Sequence, residues 1–490
     1  MKPRGAHARR TGLAVWTERD QIQAYQFLRR RLVSALATGD ANHPVSPSRR
    51  LVLGTALGAA GLLLGAAGFG VIGLIKPTDA VNYRQPGQVI LEQGTGAHFV
   101  LGGDGLLHPV INEASALLLA GADNTVTASA SALSSAPRGA TLGIPGAPDS
   151  LPSAGGLLTP TLVSCSSVPA GQPAATTAVL LAGSEGALAG MQVLSAGQGL
   201  VVQPPGGAPY LVAGGYQFQT TPAALIALGY QEMTALPVTP KWLGTLPAGR
   251  DLDLVAVPGA GKAGPAVGGA ATTVGQVLTT SAALGGPARY YLVLSDGLEP
   301  ITQTEAALVL GDPANAAAYP GTPPKAVPSS LAEVASAPQH PAGADALGYP
   351  AQVPVPADVG VDATVICAAG DGDHAASVAT GGTLPLPPGA RIMRTGASSG
   401  DVVASQVYVP PGSGALVAAQ VAPGAPATTT YLITDEGIKF RVVNGAARSS
   451  LGYGSVRPTP VSTTLLDLLP TGPALSSAAA NTVVTDGSAG

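Results

Sequence analysis

Charged residues are scarce in this chain of 490 residues. Asp, Glu, Lys and Arg make up 11% of it, against about 25% in an ordinary soluble protein. Aromatic residues make up 4%, there are two cysteines, and the formal net charge is -4. This charge argues against a polybasic nucleic-acid binder, so no nucleic-acid partner is expected. The composition also excludes a coiled coil and collagen, because it lacks their charged and Gly-X-Y repeats.

Glycine and proline are abundant instead, with 66 and 45 residues. Their combined share lies just below the range in which disorder becomes the default. Hydrophobic residues nevertheless make up 46% of the chain, and short runs of Val, Leu and Tyr recur. This pattern favours a folded, loop-rich chain of the α+β class, rich in β-strands.

The few charges are unevenly distributed along the chain. Residues 1–50 carry ten basic and three acidic side chains, whereas the remaining 440 residues carry 14 basic and 25 acidic ones. Residues 51–75 read LVLGTALGAAGLLLGAAGFGVIGLI and contain no charge. At about 1.5 Å per residue, such a helix crosses a hydrocarbon core of about 30 Å. The sequence therefore predicts one transmembrane helix at 51–75.

Two alternatives to a membrane span are a buried core helix and a cleaved signal peptide. Soluble helices rarely stay apolar on every face for this length, and a 50-residue basic arm precedes the run. Arg49 and Arg50 abut the segment, so the positive-inside rule places the N-terminus in the cytoplasm and residues 76–490 outside. We expect a single-pass protein of the plasma membrane.

Within this segment, Gly54 and Gly58 form one GxxxG pair, and Gly61 and Gly65 form a second. Such pairs let a neighbouring helix approach closely. The alternative is that glycine is simply common in this chain. The four glycines are the predicted helix-packing residues.

The cytoplasmic arm, residues 1–50, contains a predicted amphipathic helix at 17–37, TERDQIQAYQFLRRRLVSALA. Apolar residues recur there at steps of three and four, with Leu36 as the last of the stripe. The helix either lies on anionic lipid or docks on a partner protein, and the narrow, aromatic-bearing stripe favours the partner. The residues predicted to make this contact are Ile22, Tyr25, Leu28, Arg29, Arg30, Arg31 and Leu32.

Both cysteines, Cys165 and Cys367, fall in apolar, strand-like segments of the external region, TLVSCSS and ATVICAA. In an oxidising compartment, two lone thiols indicate one disulfide. The alternative is a pair of unrelated buried thiols.

Four segments share a pattern of strand, glycine-containing turn, strand and Ala/Leu-rich helix. They are 97–120, 209–229, 290–311 and 430–452. A longer period overlies them, because equivalent residues such as the two cysteines recur in the same order in two tandem halves. The tail 476–490 is expected to fray. The division predicted for the periplasmic region 76–490 is four repeat units near 85–150, 195–262, 285–345 and 425–475, with a central β domain from 153–194 and 346–424.

No catalytic, cofactor or metal site is predicted from the sequence. A phosphate loop around the segment 258–265, PGAGKAGP, would need Gly at position 256 and Ser or Thr at position 263, and both positions are Ala. The histidines are scattered, without spacing typical of a metal site. Residues 371–374, DGDH, begin like a calcium loop but lack its later ligands, which favours a β-turn.

In combination, these features resemble the EccB family, membrane components of type VII (ESX) secretion systems of mycobacteria and related actinobacteria. The resemblance covers nearly the whole chain. It rests on TERDQIQAYQFLRRRLVSAL before a single span, on GAHFVLGGDGLLHPVINEASALLL and PRGATLGIPGAPDSLP, on the two cysteines, and on PVTPKWLGTLPAG.

The resemblance implies a cytoplasmic helix, one membrane helix, and a periplasmic region with a central β domain, four repeats and one disulfide. It implies assembly with EccC, EccD and EccE, contact with the mycosin protease MycP, self-association of the periplasmic region and contact with peptidoglycan. Some members are described as ATPases. We therefore expect a non-catalytic structural subunit of the secretion complex. The alternatives are a membrane-anchored peptidoglycan-binding protein and a weak periplasmic nucleotidase or ATPase.

Overall fold

The computed structural model describes residues 18–42, 47–75, 84–168, 174–183, 186–281, 286–341, 348–360, 362–370, 376–397, 401–422 and 424–484. The chain divides into two units, Met1–Asn82 and Tyr83–Gly490. The first contains helices α1 (Glu18–Thr38) and α2 (Pro47–Ile75). Over the described residues, no helix combines the length and hydropathy that a membrane span requires. The span predicted at 51–75 therefore stays a prediction.

The second unit begins with a small four-stranded sheet that we call module 1. Its strands lie in the order β3-β2-β1-β4, with β1 antiparallel to β2 and parallel to β4. Asn112 caps the helix that follows the hairpin, because its side chain accepts the N–H of Ser115 at 3.0 Å. The elements are β1 (Val89–Gln93), β2 (His98–Leu101), β3 (Leu107–Val110), α3 (Glu113–Ala120), β4 (Thr125–Ser129) and α4 (Ala130–Leu133).

The chain then forms three strands of a central sheet before it enters modules 2 and 3. Both modules repeat the strand order of module 1, with the first strand parallel to the fourth. The central strands are β5 (Pro160–Ser167), β6 (Thr176–Gly183) and β7 (Gln192–Val193). Module 2 comprises β8 (Gln198–Gln203), β9 (Tyr210–Ala213), β10 (Tyr216–Gln219), α5 (Pro222–Ala227), β11 (Leu236–Pro237) and α6 (Pro240–Leu243). Module 3 comprises β12 (Val277–Thr280), β13 (Arg289–Val293), β14 (Leu298–Ile301), α7 (Gln303–Gly311), β15 (Val327–Pro328) and α8 (Leu331–Ser336).

The remaining elements complete the central sheet and form module 4, which has the same strand order. Strand β16 (Val355–Pro356) pairs with β8 of module 2. The central strands are β17 (Val365–Gly370), β18 (Ser377–Gly381), β19 (Met393–Arg394) and β20 (Gln406–Tyr408). Module 4 comprises β21 (Ala415–Gln420), β22 (Thr430–Ile433), β23 (Lys439–Val442), α9 (Gly445–Ser450), β24 (Thr459–Ser462) and α10 (Thr463–Asp467), and α11 (Ser477–Ala480) follows.

The central sheet has seven strands in the order β19-β20-β6-β5-β17-β18-β7. Its middle pair, β5 and β17, is antiparallel and comes from the two halves of the chain. One face packs against α6 and α10 of modules 2 and 4, through residues such as Trp242 and Leu465. The other face is covered by segments 186–191 and 384–392. The sheet is therefore buried on both sides.

The modules pack in pairs that cross the two halves of the chain. Module 1 shares a hydrophobic core with module 4, in which Leu118 and Phe440 are both fully buried. Module 2 packs against module 3, with Leu308 of α7 inside the core formed by Phe218 and Tyr230. Each half of the chain is thus stabilised by hydrophobic packing against the other half as well as by its own strand pairing.

Every module closes the free edge of its third strand with a segment that begins at a proline. The proline carbonyl accepts a backbone N–H of that strand at 2.8–2.9 Å in all four modules. This covers the edge and prevents pairing with another chain. The bonds run from Leu107 to Pro137, from Gln217 to Pro247, from Leu298 to Pro338 and from Lys439 to Pro470.

Part of the C-terminal tail is ordered, so the expectation of fraying over 476–490 is wrong for its described portion. Ala480 is fully buried. The Val484 N–H donates to the carbonyl of Thr141 at 2.9 Å. Small residues in this tail suit close packing against module 1, which composition alone does not indicate.

Candidate assembly surfaces and internal ties

The predicted contact face lies on helix α1, whose apolar side chains are exposed within the described residues. Tyr25 is 69% exposed and Leu32 is 61% exposed. Ile22, Leu28 and Leu36 are exposed as well. A helix with such a stripe gains stability from burying it. The stripe is therefore a surface available to a partner or to lipid.

The three arginines predicted to accompany this stripe, Arg29, Arg30 and Arg31, also lie on α1 and are exposed. The Arg31 guanidinium donates to the Asn42 side chain at 2.5 Å and stacks over Phe27 at 5.5 Å. Phe27 is a further exposed aromatic residue, off the stripe, that the periodicity did not single out. The Arg31 guanidinium is thus occupied by contacts with Phe27 and Asn42, whereas Arg29 lies beside the apolar stripe.

The four predicted packing glycines lie on α2. Their spacing of four, three and four residues places Gly54, Gly58, Gly61 and Gly65 on one face of the helix. At each of them, a Cβ atom would meet no described atom within 4 Å. The face is therefore free of contacts within the described chain.

A disulfide joins Cys165 and Cys367, which lie directly opposite each other on β5 and β17. Their Cα atoms are 4.1 Å apart, and both side chains are fully buried. The bond closes a sequence separation of 202 residues. It ties equivalent strands of the two halves at the centre of the sheet.

Two buried tyrosines form a reciprocal tie between the halves. The Tyr230 hydroxyl of module 2 donates to the carbonyl of Pro354 at 2.8 Å. The Tyr453 hydroxyl of module 4 donates to the carbonyl of Pro152 at 2.6 Å. Pro354 precedes the central strands of the second half, and Pro152 precedes those of the first. Burial raises the pKa of both tyrosines far above the ordinary value of 10.

Alkaline unfolding tests these two tyrosines. Above pH 10 the unfolded chain loses their protons while the folded chain keeps them, so stability falls as pH rises. We expect each tyrosine to contribute up to about 1.4 kcal/mol per pH unit to this loss. The measurement is the unfolding free energy between pH 9 and 11. The Tyr230→Phe/Tyr453→Phe variant should show a shallower slope, and an unchanged slope would contradict the assignment.

Lys439 is a buried cation that caps a helix. Its Nζ donates to the carbonyl of Leu466 in the last turn of α10 at 2.5 Å and to that of Leu469, just beyond the helix, at 3.1 Å. Desolvation lowers the pKa of Lys439, and the charge of Asp467, 3.7 Å away, partly opposes this. In module 2, Gln217 occupies the equivalent position and donates to the carbonyl of Leu246 at 2.9 Å.

Replacing Lys439 therefore has a predictable cost. Lys439→Ala removes the side-chain donor of the buried Leu469 carbonyl, whereas the Leu466 carbonyl still accepts the N–H of Leu469. We expect this variant to lower the unfolding free energy by about 2 kcal/mol. Lys439→Gln should cost less than about 1 kcal/mol, because Gln217 performs the same capping in module 2. Chemical denaturation of the two variants gives the comparison, and equal losses would show that capping is not the role of this side chain.

Two histidines that the sequence left scattered each bind one carboxylate. The Nε2 atom of His108 lies 3.1 Å from Asp104, and that of His340 lies 3.1 Å from Asp296. The N–H of Leu106 and the His108 ring both lower the pKa of Asp104. Over the residues that the structure describes, no three potential metal ligands come together. Residues 371–374, where the sequence predicts a β-turn, lie outside the described residues.

The loop at 258–265 does not have the geometry of a phosphate cradle. The N–H of Gly261 donates to Val274, that of Lys262 to Gly259, and that of Gly264 to Thr272. In a phosphate loop these N–H groups face the ligand. Here they hold a folded loop together, so the Lys262 amine stands on a surface turn.

Comparison with known proteins assigns the family. The sequence model described as "Type VII secretion system ESX-1, transport TM domain B", the EccB domain, matches residues 14–488. This chain belongs to the EccB family. "ESX-5 secretion system ATPase EccB5" of Mycobacterium tuberculosis is 30% identical over 97% of the chain and 95% of that protein. "ESX-3 secretion system ATPase EccB3" of Mycolicibacterium smegmatis is 29% identical over 94% of the chain and 89% of that protein.

Solved EccB structures share the fold. A chain of an intact ESX-5 inner membrane complex matches with a TM-score of 0.66 at 28% identity, over 97% of both chains. A chain of the EccB3 dimer from the ESX-3 core complex matches with a TM-score of 0.63 at 28% identity, over 80% of this chain and 99% of that one. The β-rich α+β fold expected from the sequence is therefore that of EccB proteins.

Proposed function

We propose that this EccB-family chain is a structural, non-catalytic subunit of a type VII secretion inner-membrane complex. The observation that supports this most directly is the match over 97% of its length to a chain of an intact ESX-5 inner membrane complex. The fold fits a brace, because the disulfide and the two tyrosine ties hold both halves of the large unit together. We expect a rigid unit of this kind to hold the periplasmic parts of the complex in fixed positions at the membrane.

The finer topology is part of the same proposal. The uncharged run 51–75 crosses the membrane once, with α1 in the cytoplasm and residues 76–490 in the periplasm. The four modules and the central sheet correspond to the four repeats and the central β domain. The glycine face of α2 packs against another membrane helix. EccC, EccD, EccE and MycP homologues are the proposed partners, and the EccB3 dimer supports self-association of the periplasmic part.

The decisive experiment is purification of the full chain from native membranes in a mild detergent, followed by mass spectrometry of the associated chains. We expect a large assembly containing the other membrane components of the system. Recovery of the chain as a clean monomer under conditions that preserve other membrane complexes would contradict the proposal.

The word ATPase in the names of relatives is a separate question for this chain. The bonded N–H groups of the 258–265 loop favour a role without nucleotide turnover. ATP hydrolysis by the purified full chain should stay at background, and Lys262→Ala should not change it. Turnover that co-purifies with the chain and falls in Lys262→Ala would overturn the non-catalytic assignment.

The α1 stripe supplies a sharper prediction about assembly. Leu32→Glu places a carboxylate in the centre of the exposed apolar stripe, where burial against a partner would leave the charge unpaired. We expect at least about tenfold less partner protein to co-purify with this variant. Gln23→Glu adds the same charge to the opposite side of α1 and is the matched control. Equal recovery with both variants would show that the stripe is not the contact.

A further inference from the structure

Module 4 contains a small polar pocket that the assembly role does not explain. Its volume is about 190 Å³. It lies where the chain enters β22, beside β23 and the first turns of α9. None of the residues that line it is acidic. They include three threonines and two arginines: Thr428, Thr429, Thr430, Arg441 and Arg448.

Arg448, one of the lining residues, has a donor without a hydrogen-bond partner among the described residues. The Nε atom of Arg448 is buried, and over the described residues it makes no hydrogen bond. Buried guanidinium N–H groups are nearly always satisfied by protein, water or ligand. Arg448, which lines the pocket, therefore lacks an acceptor that a bound ligand could supply.

The repeat itself does not require either arginine. Arg441 pairs with Tyr431 across the β22–β23 hairpin, and the equivalent pair in module 2 is Gln219 with Tyr210. The carbonyl of Arg448 accepts the N–H of Tyr453, as Leu225 accepts that of Tyr230. Module 2 thus builds the same hairpin and helix with Gln219 and Leu225. The two positive charges are specific to module 4.

We propose that this pocket, which we call the module 4 oxyanion site, binds a phosphate group. Two guanidinium groups and three hydroxyls offer more donors than one carboxylate accepts, and they suit the four oxygens of a tetrahedral anion. The Oδ1 atom of Asn444, which also lines the pocket, accepts the Ala447 N–H at 2.8 Å, and this leaves the side-chain NH2 group as a further donor. The volume of about 190 Å³ is ample for a phosphate group. The group comes either from free phosphate esters or from lipid headgroups.

The test uses the full chain in a neutral detergent at constant ionic strength, so that general screening is held fixed. Inorganic phosphate and glycerol phosphate are titrated while heat of binding and thermal unfolding are recorded. We expect saturable binding and a rise in the unfolding temperature. Arg441→Gln and Arg448→Met should each weaken binding at least about tenfold. Both should fold, because module 2 has Gln219 and Leu225 at these positions.

Arg457→Gln is the matched control, since it removes an exposed positive charge of the same module outside the pocket. It should leave phosphate binding unchanged. Co-sedimentation with phosphatidic acid vesicles that depends on Arg448 would identify a lipid source, and binding only in solution would identify free phosphate esters. The proposal is overturned by no saturable binding to any of these probes. The proposal would also be overturned if acetate bound as tightly as phosphate, or if Arg457→Gln weakened phosphate binding as much as the two pocket variants do.

Discussion

Replacing both Cys165 and Cys367 by alanine is expected to lower the unfolding free energy of the large unit by about 3–5 kcal/mol. The disulfide closes a sequence separation of 202 residues, and the chain-entropy model gives about 5 kcal/mol for such a loop. For a unit of roughly 400 residues, the unfolding temperature should fall by about 5 °C. The measurement is thermal and chemical unfolding of the full chain in detergent, with and without the bond.

The single variant Cys165→Ala separates the bond from the packing of the side chains. It removes the disulfide but leaves the Cys367 thiol in its buried site. We expect it to lose nearly as much stability as the double variant, because both lack the cross-link. In the native protein, reduction should also require opening of the sheet, since both sulfur atoms are inaccessible. A double variant that unfolds at the temperature of the parent would contradict a stabilising role.

The local hairpins were the most predictable part of this fold. Glycine turns between short apolar strands place a hairpin at 209–219, where the structure has β9 and β10. The first strand of modules 3 and 4 was missed, because Gly- and Pro-containing segments separate β12 and β21 from their hairpins. The fourth strands were missed for a different reason. They are two to five residues long and gain their stability from parallel pairing with the first strand.

Of the long-range contacts between the two halves, one was predictable from the sequence and another was not. The disulfide could be predicted because there are only two cysteines, in strand-like segments of matching sequence. The tie from Tyr453 to Pro152 could not, since it joins residues 301 positions apart through a carbonyl that carries no sequence signal. One signal was present, however. The Leu-Gly-Tyr sequence ends at both tyrosines, at 228–230 and 451–453, although it also occurs at 347–349.

The module 4 oxyanion site was not recognisable from the sequence either. Arg441 and Arg448 are seven residues apart, on a strand and a helix, and nothing in their spacing indicates a shared pocket. Comparison of the modules identifies the two arginines as unusual, because module 2 forms the same hairpin and helix with uncharged residues at these positions. Sequence periodicity therefore predicts the fold that the modules share. The residues that are specific to one module are recognised only when the modules are compared in the structure.

Truncating Trp242 is the second change with a large expected effect. Its side chain is fully buried on α6, and its Nε1–H donates to the carbonyl of Ser164 in β5 at 3.2 Å. It also packs against Ile366 and Val378 of the central sheet. Trp242→Ala leaves a cavity and removes the indole donor to Ser164, so we expect the unfolding free energy to fall by about 3–5 kcal/mol. Chemical denaturation measures this loss, and hydrogen exchange should show weaker protection along β5.

The duplicated half supplies the control for this prediction. The segment 238–252, VTPKWLGTLPAGRDL, aligns with 461–475, VSTTLLDLLPTGPAL, so that Leu465 of module 4 stands where module 2 has Trp242. Leu465 packs on the same face of the sheet. Trp242→Leu should therefore retain the docking and cost only about 2 kcal/mol, since part of the volume is refilled. Tyr216→Ala truncates an exposed aromatic residue of module 2 and should cost less than about 1 kcal/mol. If Trp242→Ala proved no more damaging than Tyr216→Ala, α6 would not be the element that fixes module 2 to the central sheet. The brace would then depend on the strand pairing of β16 with β8 and on the Tyr230 tie.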